Sequence, residues 1–333
     1  MELFPKNERH NITFTNEPMM SKHEVDKGRN ERKAALVPQI RELLNTHKKF
    51  KGENISVTFS HQGVSSLVAF LESQNEKFVL KIPIRNDLPQ GEAKFLQEWE
   101  KTGVKVPHIL EEGLIDDRPY LLMEQVTAKT LFETFSKREM IDRGIYLEMG
   151  KTLHSMHQPK TTGYGHIFNG KPEYDDFPSW LKYTTDKSRL YTEENQLLDE
   201  NEHGSIDLAI TILEDYGGKQ NQSSYCHYDF HTENIFATEP ITIFDPDCVL
   251  NLPHIDLGRS IVIGPAKSKN SDAAKQMIEG YESEGEKVDL RVLQASILIN
   301  SIQKFQYWNK KKSTESIQNV QKYLSENKHL LVD

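Results

Sequence analysis

The sequence predicts an α+β chain of two lobes, with a β-rich N-terminal lobe carrying one helix and a larger, mainly helical C-terminal lobe. Three observations predict it: short apolar runs cluster before residue 125, helical periodicity dominates after Thr127, and a polar loop region interrupts the helices near 224–249. In chain order, residues 1–30 are charged, show little periodicity and read as an extension, partly disordered or draped on the surface. Leu36, Ile40, Leu43 and Leu44 then recur at helical spacing. Ile55–Phe59, Leu67–Leu71 and Phe78–Ile82 are short runs separated by turn chemistry and read as strands. A helix follows over Gly91–Thr102, ended by Gly103 with Pro107 beyond. His108–Leu110 and Tyr120–Glu124 complete an expected five-stranded antiparallel sheet.

Beyond this, Tyr146–Met156 is strongly periodic, and Thr161–Trp180, rich in Gly, Pro, Tyr and Asp, reads as a long loop. Helical patterns return near 180–195, 203–216, 271–283, 287–308 and 314–326. The predicted division is an extension at 1–30, a lobe at 31–126 and a helical lobe at 127–333.

Composition narrows the function classes. Across 333 residues, 41 Lys plus Arg stand against 50 Asp plus Glu, a net charge of −9, which disfavours a general nucleic-acid binder. Two cysteines, Cys226 and Cys248, make no disulfide framework and fit a reducing, cytoplasmic setting. The N-terminal stretch lacks the apolar core of a signal peptide, and no uncharged apolar run approaches the roughly 18 residues of a membrane span.

The densest polar constellation is Cys226-His227-Tyr228-Asp229-Phe230-His231-Thr232-Glu233-Asn234, followed by Ile243-Phe244-Asp245-Pro246-Asp247. Two carboxylates and an amide on loops between short apolar runs suit phosphoryl transfer, which asks chiefly for positioning and charge neutralisation. Asp229 is suited to take the proton of an attacking hydroxyl, and Asn234 and Asp245 offer hard oxygens to Mg²⁺.

His-x-Asp-x₄-Asn, followed about ten residues on by an apolar pair and Asp, resembles the kinase catalytic loop and its metal-binding Asp. The form His227–Asn234, Asp245 and Asp256-Leu257 is similar to the aminoglycoside phosphotransferase and choline kinase branch. The Phe78–Ile82 strand carries a single lysine, Lys81, in an apolar frame, and Glu92 opens the next helix. The segment from Glu92 to Pro107 and the hinge-like Tyr120–Val126 also resemble that branch, so the likeness runs over roughly residues 50–310.

The resemblance implies a two-lobed, protein-kinase-like fold and a nucleoside-triphosphate-dependent kinase of a small-molecule hydroxyl, with ATP or GTP as co-substrate and Mg²⁺ as cofactor. It further implies that Asp229 is the catalytic base, with Asn234 beside it, and that Asn234 and Asp245 hold the metal. Lys81, fixed by Glu92, would hold the nucleotide phosphates, and backbone groups around Glu124 and Val126 would meet the base. It implies structural roles for His227 and for Asp256, the latter as a buried brace of the loop. One element departs: no Gly-x-Gly-x-x-Gly is present, and Gly63, Ser65 and Ser66 are the only equivalents for the phosphates.

The acceptor stays open among an aminoglycoside or amino sugar, a macrolide, a choline-like alcohol, a sugar and homoserine. Acids at 173–176 suggest a cationic acceptor. The roles of His231 and Asp247 stay open. A nucleotide-binding module without catalysis is the alternative, although every required polar residue is present. A protein kinase is disfavoured by the lack of Asp-Phe-Gly, Ala-Pro-Glu and an activation segment between Asp245 and Asp256.

Overall fold

The computed structural model describes residues 12–18, 27–50, 53–61, 65–74, 76–85, 91–115, 117–198, 200–285 and 287–331. The chain divides into two compact units, Met1–Leu88 with Pro107–Thr127, and Pro89–Val106 with Ala128–Asp333.

The smaller unit is built on a six-stranded sheet. Its strands are β1 (Ile12–Phe14), β2 (Ile55–Phe59), β3 (Ser66–Ser73), β4 (Glu76–Pro83), β5 (Ile109–Ile115) and β6 (Arg118–Glu124), in the spatial order β1-β2-β3-β4-β6-β5. The five expected strands are all present and pair antiparallel. Period-two alternation fixes which face is buried. Ile55, Val57 and Phe59, then Leu67, Ala69 and Leu71, then Phe78, Leu80 and Ile82 point into one core. Helix α2 (Val37–Thr46), which follows α1 (Lys27–Ala35), joins that core through Val37, Ile40 and Leu44, with Leu36 between the two helices.

The sixth strand corrects the reading of residues 1–30 as an extension. β1 pairs with β2 in parallel, Ile12 opposite Ile55 and Phe14 opposite Val57. The Asn16 side chain then acts as a further rung, its Nδ2 donating to Phe59 O at 2.9 Å while its Oδ1 accepts the Phe59 N–H at 2.7 Å.

The larger unit begins with α3 (Glu92–Glu100), the helix expected at 91–102. Although it lies among the strands in sequence, it counts with the larger unit, and its aromatic side chains show why. Trp99 Nε1 donates to Tyr225 O at 2.9 Å, and Phe95 meets the Tyr225 ring edge-on at 5.0 Å. The remaining helices are α4 (Leu131–Thr134), α5 (Lys137–Asp142), α6 (Ile145–Met156), α7 (Phe177–Glu194), α8 (Glu200–Gly217), α9 (Pro253–Ile261), α10 (Ser271–Glu282), α11 (Leu290–Lys310) and α12 (Thr314–Glu326). Capping boxes start α4 at Thr130 and α5 at Ser136.

α11 is buried along every residue from Val292 to Ile302 and packs against α7, α8, α9 and α12. α6 and α10 pack tightly at glycines. A Cβ on Gly150 would meet Met277 O at 2.1 Å, and one on Gly280 would meet Leu147 O at 2.0 Å, so only glycine permits the approach.

A five-stranded sheet completes the unit, comprising β7 (Lys160–Thr161), β8 (Tyr164–Phe168), β9 (Lys171–Tyr174), β10 (Ser223–Cys226) and β13 (Val249–Asn251), ordered β7-β10-β13-β8-β9. The short hairpin β11 (Ile235–Phe236) and β12 (Thr242–Ile243) stands apart. This corrects the reading of Thr161–Trp180 as a long loop. The segment supplies three strands of the sheet and the first turn of α7, whose N-cap Asp176 accepts the Ser179 N–H at 2.8 Å.

Candidate active site

The polar constellation occupies the turns that flank β10, β11, β12 and β13. β10 delivers His227, Tyr228 and Asp229; a single 3₁₀ turn at Thr232–Asn234 leads into β11; Asp245 and Asp247 lie between β12 and β13. The segments are locked by backbone bonds. Asp247 N–H donates to His227 O at 2.8 Å and Phe244 N–H to Asn234 O at 3.2 Å, while Phe236 stacks on Phe244 at 4.1 Å.

His227 is fully buried. Its Nδ1 accepts the Asp229 N–H at 3.3 Å, which leaves Nε2–H to donate to Phe244 O at 3.0 Å. Burial pushes its pKa down, so it is a neutral strut rather than a proton carrier. The Trp99 ring lies parallel to it at 5.7 Å.

Below the loop, Asp256 in the first turn of α9 is completely buried. Its Oδ2 accepts the His227 N–H and its Oδ1 the Tyr228 N–H, both at 2.8 Å. His157 Nε2 lies 3.0 Å from Oδ2, and Tyr281 OH lies 2.9 Å from His157 Nδ1. Cys226 joins His157 and Asp256 in a buried group of metal-ligating types, yet those atoms are already engaged: Asp256 as above, and Cys226 Sγ with Asn251 O at 3.5 Å. Tyr228 adopts φ +63°, which the Arg259 guanidinium braces by donating from Nε to Tyr228 O at 3.0 Å and by covering its ring at 4.1 Å.

Asp229 sits at the centre. Its Oδ2 is 3.1 Å from Asn234 Nδ2, which also donates to Asp229 O at 2.9 Å, and 3.4 Å from His231 Nε2. Glu233 N–H donates to His231 Nδ1 at 3.3 Å, which places the ring N–H on Nε2, facing the carboxylate. Lys304 from α11 brings Nζ to 3.9 Å from Oδ1. Burial works against the charge of Asp229, but the His231 hydrogen bond and the nearby Lys304 ammonium outweigh it, holding the carboxyl well below its usual range. For Lys304, burial and the neighbouring Arg259 charge bring the ammonium pKa down to about 8, against the pull of Asp229 and Asp247.

Because both donors of Asn234 Nδ2 face Asp229, its Oδ1 is turned to a different side, and among the described residues it accepts no hydrogen bond. Asp245 is exposed, at φ +56°, one residue beyond the Phe244–Asn234 bond. One amide oxygen and one exposed carboxylate on adjoining turns are the donor set that Mg²⁺ prefers, so these residues fit the ion.

The sequence profile of the phosphotransferase enzyme family matches residues 56–290. The chain belongs to this family. No curated protein sequence matches it. Among solved structures, a thermostable mutant of aminoglycoside phosphotransferase APH(4)-Ia, in ternary complex with ADP and hygromycin B, is similar with a TM-score of 0.59 at 12% identity, covering 88% of this chain and 98% of that one. A choline/ethanolamine kinase family protein from Mesorhizobium loti is similar with a TM-score of 0.58 at 17% identity, over 89% of this chain and 95% of that one. A protein from Haemophilus somnus 129PT named for fructosamine-3-kinase is similar with a TM-score of 0.56 at 19% identity, over 86% and 96%. At these identities the likeness is one of fold, the kinase-like fold expected from the sequence.

For this phosphotransferase family member, the structure brings Asp229, Asn234 and Asp245 together on adjoining turns of the larger unit. Glu92 opens α3 in that same unit. Lys81 belongs to the smaller unit, half-buried on β4 on the face opposite the core, in register between Val68 and Leu121. In that unit Ser65 O accepts the Ile84 N–H at 3.0 Å, Ser66 is buried at the start of β3, Glu124 ends β6, and Val126 follows it. Gly63 lies outside the described residues.

Sequence reading missed Lys304, Arg259 and His157, which meet the loop from α11, α9 and the end of α6. Of the acids expected to greet a cation, Glu173 and Asp176 are engaged elsewhere, and Asp175 is exposed. Asp176 caps α7, and Glu173 Oε2 takes the His166 N–H at 2.8 Å and lies 3.2 Å from His166 Nδ1. His166 Nε2 in turn stands 3.5 Å from Asp247. Burial opposes its charge, but Asp247 and Glu173 raise its pKa to about 9. Among the described residues, no helix is long and apolar enough to cross a membrane.

Proposed function

We propose that this family member is a nucleoside-triphosphate-dependent phosphotransferase acting on a hydroxyl of a small molecule, with ATP or GTP as co-substrate. The observation that carries the reading is the Asp229 carboxylate, held ionised and oriented through Oδ2 by Asn234 and His231, with Oδ1 left towards an incoming group. Asp229 orients the acceptor hydroxyl and takes its proton as the oxygen attacks the terminal phosphorus, whose bond to the bridging oxygen breaks to release the nucleoside diphosphate and leave a phosphate monoester. Asn234 Oδ1 and Asp245 would hold Mg²⁺, which when bound supplies neutralisation of phosphate charge. Lys81 is assigned to the nucleotide phosphates, with Glu92 as its partner. Ser65, Ser66 and Gly63 are assigned to the phosphate loop, and the backbone at Glu124 and Val126 to the base. His227 and Asp256 take no part in proton transfer; they hold the loop that carries Asp229.

The test is Asp229→Ala. With Mg-ATP or Mg-GTP and a panel of hydroxyl acceptors, the variant should lose phosphoryl transfer by about 10²–10⁴-fold while nucleotide still raises its melting temperature. Full turnover in the variant would refute the role of Asp229. Nucleotide stabilisation without transfer to any acceptor by the unaltered protein would favour a non-catalytic nucleotide-binding module.

A further inference from the structure

In the proposed transfer Lys304 acts only as a charge beside Asp229. It projects from the end of α11 that lies against the catalytic loop, with its side chain only 18% exposed. Its ammonium is 3.9 Å from Asp229 Oδ1, too far for a hydrogen bond, and 5.6 Å from the centre of the Tyr307 ring. Among the described residues it finds no hydrogen-bond acceptor at all. A mostly buried ammonium with three unused donors is costly unless something else accepts from them.

The surroundings indicate what that is. Asn234 and His231 both approach Asp229 through Oδ2, so Oδ1, beside Lys304, is the oxygen left for an acceptor hydroxyl. The guanidinium of Arg259 and the ammonium of Lys267 add positive charge around Lys304, set against the carboxylates of Asp229 and Asp247. An acceptor that brought its own ammonium beside Asp229 Oδ1 would meet the Lys304 ammonium there, whereas an anionic group could accept from its unused donors. Of the three acids at 173–176, Glu173 is spent on His166 and Asp176 on the start of α7, which leaves exposed Asp175 alone.

The geometry points to an acceptor that carries an anionic oxygen group, a carboxylate or a phosphate, near the hydroxyl it presents to Asp229, with Lys304 as the residue that binds this anion. The inference rests on the kinase reading and replaces the cationic acceptor suggested by sequence with an anionic one. The negative group accepts from Lys304 and sets the distance of the hydroxyl from Oδ1, so Lys304 acts on specificity, while proton removal stays with Asp229.

The kinase reading is measured first and alone, as nucleoside diphosphate release and nucleotide stabilisation by the unaltered protein without acceptor. Two matched series then serve as acceptors: glucose, glucosamine, glucuronate and glucose 6-phosphate; and glycerol, choline, glycerate and glycerol 3-phosphate; with hygromycin B as a polycationic probe. Carboxylate and phosphate members separate the two sources of negative charge. At least one anionic member should exceed its neutral parent in kcat/KM by about tenfold or more. Lys304→Met should remove that preference through KM, and Lys304→Arg should restore part of it. Equal use of neutral and anionic members, better use of glucosamine, choline or hygromycin B, or nucleotide turnover with no anionic member accepted, overturns the inference while the kinase reading stands. Neither nucleotide stabilisation nor diphosphate release removes both.

Discussion

The carboxylate of Asp256 accepts the backbone N–H of His227 at 2.8 Å through the same oxygen that faces His157 Nε2 at 3.0 Å. A helix-borne acid thus fixes the backbone of the catalytic loop from below, one residue before Tyr228 turns left-handed and two before Asp229. Asp256→Asn replaces one accepting oxygen by an amide group that can only donate. The variant should lose about 3 kcal/mol of stability, because it breaks a buried charged network from one side. Urea unfolding checks this, and an unchanged midpoint would show that the two backbone donors do not depend on the carboxylate.

Asn234 is assigned two duties on two atoms, Nδ2 towards Asp229 and Oδ1 towards Mg²⁺. Asn234→Ala should therefore lower kcat and also raise the Mg²⁺ concentration needed for half-maximal turnover, each by about tenfold or more. Removal of Mg²⁺ with EDTA should stop transfer by the unaltered protein. A variant with lowered kcat and an unaltered Mg²⁺ dependence would confine Asn234 to the first duty.

Helix propensity and close packing make opposite forecasts for Gly150 and Gly280. By propensity, alanine in a helix interior gains about 1 kcal/mol over glycine. Here the added Cβ would stand 2.1 Å from Met277 O or 2.0 Å from Leu147 O, contacts to backbone that cannot swing aside. Gly150→Ala and Gly280→Ala should each cost about 3 kcal/mol by forcing α6 and α10 apart. Gly204→Ala in α8, with open space around its Cβ, is the control and should leave stability unchanged or raised. Equal melting temperatures for all three variants would contradict the packing at this crossing.

His166, held between Glu173 and Asp247, gives a pH dependence of defined sign. Its pKa is about 9 in the folded protein and about 6.5 when unfolded. A group raised on folding stabilises fully below the unfolded value, progressively less between the two, and not at all above about 9. His166→Gln should therefore melt below the unaltered protein at pH 6, with a deficit worth about 1–2 kcal/mol after allowance for partial solvent screening. The two curves should converge by pH 10. A deficit constant from pH 6 to pH 10 would show that His166 acts by packing and not by charge.

Local pattern carried much of this in the sequence. The alternation in Ile55–Phe59 and Phe78–Ile82 is legible because one face of each strand is buried. The spacing His227, Asp229, Asn234 is legible because one tight turn holds all three. Ile12–Phe14 was illegible: three residues in a charged context show no period, and their strand exists only because β2 offers an edge more than forty residues later. The hairpin at 164–174 was hidden by its glycines and prolines, since Gly163 and Gly165 take positive φ within the segment. Lys304 gave no local signal at all. It is one of several polar residues at the end of a long helix, and only the packing of α11 under the loop brings it to Asp229.

Parallel addition of Ile12–Phe14 also bears on how the protein behaves in company. β2 alternates buried Ile55, Val57 and Phe59 with polar residues, and its outer row of N–H and C=O groups is occupied by β1, Thr15 and the Asn16 amide. Cutting the chain at residue 30, as its charged first stretch invites, would strip that cover and leave an apolar strand with an open hydrogen-bonding row. Such an edge recruits strands from other molecules. A protein shortened past Asn16 should therefore aggregate on concentration where the full chain does not, as light scattering would show.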